Sequence, residues 1–171
     1  IGPTLESLVG YLGRQPYAWE VLVVDDGSSD GTLSESAKWS QKDERVRIEA
    51  GVHAGKGWAV RRGMLAATGE YRFMCDADLA MPIERLDAFL EQMGKGYDIV
   101  IGSRQKAGAR RFDEPATRHA MGRVFNWSVR LLAVRGFEDT QCGFKCFRAE
   151  AAERLFHAQR TKGLAFDVEI L

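Results

Sequence analysis

Three short apolar runs constrain this chain most: EVLVVDD, YRFMCD and YDIVIGSR. The first is a continuous β-branched and leucine run, as expected for a strand covered on both faces. The other two read as further buried strands, and each run ends abruptly, at Asp25-Asp26, Asp76 and Ser103-Arg104. Helical patterns separate them. Leu5, Leu8, Val9 and Leu12 follow helical spacing with Gly13 as the stop. Thr32 is placed to cap a helix to about Asp43, RVRIE alternates like a short strand, and GKGWAVRRGMLAATG predicts a helix ending at Gly69. Pro82 suits a first helical turn, with Ile83, Leu86, Phe89, Leu90 and Met93 on one face and Gly94 and Gly96 closing it. A basic loop to Pro115 and a helix from about Ala116 to Val134 follow. EDTQCGFKCF then reads as a strand or hairpin, and AEAAERLFHA as a helix. Strands alternating with helices predict an α/β sandwich around a mostly parallel sheet. No repeat or linker divides the 171 residues, which suit one domain.

Asp76 and Asp78, in MCDADLAMP, leave the second run one residue apart. On a strand they would share a face and repel. A solvated loop relieves that, and so does a divalent cation, since hard oxygen ligands suit Mg²⁺ or Mn²⁺. Ligands of open α/β sheets bind beyond the carboxyl ends of the strands. Three such ends here deliver Asp25 and Asp26, Asp76 and Asp78, and Ser103 and Arg104 to one rim, which favours the cation. DDGSSDGT and HAGKG permit close backbone approach to a ligand, yet neither is a P-loop or a GxGxxG fingerprint.

Lys plus Arg and Asp plus Glu are both 24, so no global charge draws the chain to nucleic acid. Basic residues instead concentrate between Arg104 and Arg135, where an anion or an acidic membrane surface is the expected partner. Three cysteines without CxxC spacing point to a reducing compartment, and Cys142 and Cys146 are expected to pack rather than react. No run approaches the roughly 18 apolar residues of a membrane-spanning helix.

VLVVDDGSSDGT, GKGWAVRRGMLAATGEYRFMCDAD and DIVIGSR together resemble the inverting family 2 glycosyltransferases of the GT-A fold, a Rossmann-like three-layer sandwich. DTQCGFKCF and FDVEIL narrow the resemblance to the polyprenyl-phosphate branch, closest to the dolichyl-phosphate β-glucosyltransferases. The resemblance implies transfer of a hexose, glucose from UDP-glucose first, to a polyprenyl or dolichyl phosphate at the cytoplasmic face of a membrane. Mannosyl transfer from GDP-mannose, or nucleotide-sugar binding without catalysis, are the alternatives. It further implies that Asp26 contacts the nucleoside with Asp25 in support, and that Lys56 and Gly57 line the nucleotide pocket. Asp76 and Asp78 would be the metal-binding pair, Asp78 holding the metal on the diphosphate and Asp76 facing ribose or metal. Asp139 and Gln141 would approach the sugar, and Arg104, Arg118 and Arg123 would bind the acceptor phosphate. Two departures stand out. The family's first strand, ending in a PAYNE-like motif, is not in this sequence, so the expected domain over 1–171 lacks its first strand and its C-terminal end. Ala80 stands where the mannosyl branch often has Gln, leaving the metal one protein ligand short.

The chemistry agrees with an arginine cluster. A hydroxyl acceptor needs a general base, whereas a lipid phosphate is already ionised at neutral pH. Arginine's planar fork suits phosphate. Arg118 and Arg123 are about 140° apart on a helix, so at most one joins Arg104 on the same phosphate. Val124, Phe125, Trp127, Leu131 and Leu132 give that helix an apolar face, for a membrane or for the sheet. A phosphorelay receiver domain shares VLVVDD, but the paired acids of DAD and the basic insertion after Arg104 argue against it.

Overall fold

The structure, a computed structural model, describes residues 1–103 and 139–171. The expected basic loop and the helix of about 116–134 lie outside the described residues. Helix α1 (Gly2–Leu12) carries proline in its first turn and buries Leu5, Leu8, Tyr11 and Leu12. Strand β1 (Val21–Asp25), helix α2 (Thr32–Lys42) and strand β2 (Val46–Ala50) form a parallel unit, with Val21 opposite Val46 and Asp25 opposite Ala50. Helix α3 (Lys56–Ala66) leads to β3 (Tyr71–Met74). A single 3₁₀ turn, Ile83–Arg85, runs into α4 (Leu86–Gly94), and β4 (Ile99–Ile101) follows. Strand β5 (Lys145–Arg148) lies antiparallel between β3 and β4, which therefore run parallel to each other. Helices α5 (Ala149–Ala158) and α6 (Phe166–Glu169) complete the described elements.

Two cores lie on opposite faces of these strands. One gathers Leu5, Leu8, Phe89, Met93 and Cys146 from α1, α4 and β5. The other gathers Met64, Met74, Phe147, Phe156 and Phe166 from α3, β3, β5, α5 and α6. Neighbours Cys146 and Phe147 enter different cores because consecutive strand residues face opposite ways. Phe73 meets Phe89 and Phe144 edge to face, at centroid distances of 5.2 and 5.4 Å. Helix, sheet and helix make the three expected layers.

Local details depart from expectation. Thr32 is the first residue of α2 rather than its cap: Gly31 stands at the cap, and Asp30 before it accepts the Thr32 N–H at 2.9 Å. Helix α3 ends at Ala66, short of Gly69. Among the described residues the ladders form two groups, β2-β1 and β3-β5-β4, and two of the three pairings are antiparallel. Between β1 and β3 lies a cleft of about 1160 Å³, walled by both strands, by Leu5 and Leu8 of α1, and by Val60 and Gly63 of α3.

Candidate functional site

The carboxyl ends of β1 and β3 converge on one end of this cleft, where Asp26, His53, Lys56, Asp76 and Ala77 line it. Thr4 ties the start of α1 to the same rim by donating to the Ala77 carbonyl at 2.6 Å. Asp25 is buried at the end of β1, and its Oδ2 accepts the Gly27 and Ser28 N–H groups at 3.0 Å each. Hydrogen bonding from Ser28 holds its carboxyl below the usual range. Asp26 reaches across to the loop before α3: Oδ1 accepts the Ala54 N–H at 2.8 Å and Oδ2 the Gly55 N–H at 2.9 Å. His53 Nδ1 lies 2.8 Å from the same Oδ2. Burial raises the Asp26 pKa, but those two N–H groups and His53 outweigh it and the net shift is downward. The acidic pair thus shapes two loops, 27–28 and 53–55. Gly55 has φ +103°, a left-handed conformation that strains other residues, and an added Cβ would meet the Lys162 carbonyl at 2.7 Å.

With its loop so placed, Lys56 opens α3 and puts Nζ 2.6 Å from Asp76 Oδ1. Gly57 is buried one residue on and faces Thr161 and Phe166. Asp76 and Asp78 lie beyond the end of β3, on a tight turn, so the strand-face repulsion expected of them does not arise. Asp76 O accepts the Leu79 N–H at 3.0 Å, Asp78 Oδ1 accepts the Ala80 N–H at 3.1 Å, and Leu79 takes φ 43°. Asp139 is buried and Gln141 half-buried, both on the loop that enters β5. That loop also brings Gly143 against Asp76: a Cβ there would stand 2.1 Å from Asp76 Oδ2. Ser103 is described, whereas Arg104, Arg118 and Arg123 lie outside the described residues.

One charged pair escaped sequence reasoning. Lys145, fully buried, sits 2.5 Å from Asp167 Oδ1 and donates to the Cys142 carbonyl at 2.7 Å. Burial pushes the Asp167 carboxyl up, against the pull of Lys145. The available signal was a lysine inside the apolar run GFKCF. Cys142 and Cys146 are buried, as expected, and burial pushes the Cys146 and Cys75 thiols up to about 12 and about 11. Trp58 stacks with Arg61 and Lys162.

Among the described residues no group of three or more His, Cys, Asp or Glu could hold a metal ion. Two carboxylates on one turn nevertheless fit Mg²⁺ or Mn²⁺, which keep waters and bind through one or two carboxylates plus substrate phosphates. The Asp76 carboxylate already accepts a cation, the Lys56 ammonium, and is backed by a residue without a side chain.

A profile described as "Glycosyl transferase family 2" matches residues 1–156. The dolichyl-phosphate beta-glucosyltransferase of Drosophila melanogaster is 39% identical over 93% of this chain and 52% of its own length. The human protein of that name is 37% identical over 92% of this chain and 52% of its own. The chain therefore spans about half the length of these curated relatives. Among solved structures, the mannosyltransferase PcManGT of Pyrobaculum calidifontis, in complex with GDP-Man and Mn²⁺, matches with a TM-score of 0.55 and 23% identity. The match covers 91% of this chain and 43% of that one, and its likeness is one of fold.

Proposed function

The chain belongs to glycosyl transferase family 2, and from that membership we propose that it moves glucose from UDP-glucose to a dolichyl or polyprenyl phosphate with inversion. The observation that carries the reading is the Asp76 carboxylate at the mouth of the cleft, set between Lys56 and Gly143 with Asp78 two residues on. Asp76 and Asp78 would hold Mg²⁺ or Mn²⁺, which when bound neutralises a diphosphate leaving group and acts as a Lewis acid. Lys56 and the N-terminus of α3 offer that diphosphate a positive charge and the positive end of the helix dipole. Asp25 and Asp26 keep the flanking loops in place, with Asp26 beside the nucleoside. Asp139 and Gln141 approach the sugar from the β5 loop.

The acceptor side is read from the sequence alone. Arg104 follows β4 and Ser103 in sequence, and with Arg118 or Arg123 it would bind the lipid phosphate. An ionised phosphate attacks without a general base, and the described residues agree: His53, the imidazole at the rim, is held by Asp26. Among the described residues no helix is long and apolar enough to cross a membrane. A lipid-linked acceptor implies contact with a membrane surface, proposed as peripheral and at a cytoplasmic face. Residues 1–171 are read as one catalytic domain.

Thermal shift with UDP-glucose and GDP-mannose, each with Mn²⁺ or with EDTA, tests the donor. The proposal expects the largest metal-dependent shift with UDP-glucose. A shift confined to GDP-mannose would transfer the reading to mannose, and none with either would overturn it.

A further inference from the structure

We propose that Lys56 is a placeholder cation at Asp76, so that its ammonium and the divalent metal compete for one carboxylate. The inference rests on the reading of Asp76 as a metal ligand. Three features of the structure carry it. First, Oδ2 of Asp76 lies against Gly143, whereas Oδ1 holds the Lys56 ammonium at 2.6 Å. An ion approaching Oδ1 meets a positive charge already there. Second, Lys56 stands at the first position of α3, where the helix dipole disfavours a cation and where the Gly55 cap makes no side-chain hydrogen bond. Its charge at that position is balanced from outside the helix, by Asp76. Asp167 also attracts it, but that carboxylate is already engaged by Lys145.

Third, the main chain at Lys56 is pinned while its side chain is held only at its tip, by Asp76. Asp26 holds the Ala54 and Gly55 N–H groups, and Gly57 is packed on Thr161 and Phe166. The lysine side chain is about one-third exposed and ends in a flexible four-carbon stem. When a diphosphate arrives with its cation, the metal takes Asp76 and the ammonium passes to the phosphate oxygens. Charge at the site stays balanced before and after. Metal alone should then bind poorly and metal with nucleotide well, a positive coupling between the two ligands. Lys56 stands in for the metal in the free protein and becomes a phosphate ligand in the loaded one.

The test counts free Mn²⁺ by electron paramagnetic resonance in the presence of purified protein and no nucleotide. Lys56→Met keeps the apolar stem and removes the charge. It should tighten Mn²⁺ binding by roughly two- to five-fold, the scale of a half-exposed ion pair. With UDP added, the order should reverse, Lys56→Met binding the nucleotide more weakly than the parent. A purely structural role for Lys56 would weaken both, and weaker or unchanged Mn²⁺ binding without nucleotide overturns the inference. Asp76→Asn separates the two claims. If it leaves Mn²⁺ binding intact, or if neither the parent nor Lys56→Met binds Mn²⁺, the metal reading fails and the placeholder with it.

Discussion

Gly143→Ala places one methyl group against the carboxylate on which the proposed chemistry turns. The glycine does not need a left-handed backbone, so alanine is allowed there by φ and the effect is one of contact alone. The new Cβ would lie 2.1 Å from Asp76 Oδ2, 2.8 Å from Cγ and 3.3 Å from Oδ1. Ordinary contact begins near 3.4 Å, so Oδ2 must retreat by roughly 1.3 Å. A misplacement of about 1 Å at a catalytic group costs on the order of 10²-fold in rate. The atoms that give way are the end of a half-exposed side chain, so the fold should absorb the change with little loss of melting temperature. The assay is kcat/KM for glucosyl transfer alongside calorimetric binding of UDP-glucose with Mn²⁺. Expected are a loss of about 10²-fold in kcat/KM and weaker metal-dependent donor binding, in a protein that melts normally. Full activity and normal Mn²⁺-dependent binding in Gly143→Ala would show that Asp76 does not act from the position the structure gives it.

Asp26→Ala should free the loop of 53–55, losing two charge-assisted hydrogen bonds of about 1.5–3 kcal/mol each. Binding of free nucleotide should weaken with or without metal, and calorimetry showing unchanged affinity would remove Asp26 from the nucleotide pocket. Lys145→Met leaves the Asp167 carboxylate buried without its partner and should cost about 3–5 kcal/mol in urea unfolding; Lys145→Met with Asp167→Leu should recover most of that. Arg104→Ala should raise KM for polyprenyl phosphate or lower turnover while sparing donor affinity, and equal loss of both would move Arg104 to the diphosphate. Asp25 and Asp26 are held below their ordinary pKa, so the stability they contribute is complete above the usual carboxylate value near 3.9 and is lost as pH falls through their native values. Thermal melts between pH 7 and pH 3 should show this, with a smaller decline in Asp25→Asn.

Local order in this chain was legible because its signals are local. The runs ending at Asp25 and Cys75 became β1 and β3, and the helical spacing from Leu5 to Leu12 became α1. The convergence of Asp26 and Asp76 on one rim followed from the rule that strand ends carry ligands. What escaped depends on contacts distant in sequence. Nothing in DDGSSDGT reveals that Asp26 will accept from Ala54 and Gly55, because that bond exists only once β2 has returned the chain. The Lys145–Asp167 pair spans 22 residues and needs α6 folded over β5. The antiparallel setting of β5 was equally hidden, since an apolar run does not state its direction. Thr32 lies inside α2 and the cap falls to Gly31, one residue earlier than the helix pattern suggests.

The activity proposed for this chain is transfer of glucose to a lipid phosphate through a metal held at Asp76 and Asp78. The direct measurement is the transfer of radiolabelled glucose from UDP-glucose to dolichyl phosphate by purified protein, with Mn²⁺ or EDTA, for the parent and Asp78→Ala. Predicted is a butanol-extractable product of β configuration that forms only with the metal and is lost in a normally folded Asp78→Ala. Lipid-linked glucose made equally well in EDTA, or by Asp78→Ala, would contradict the account.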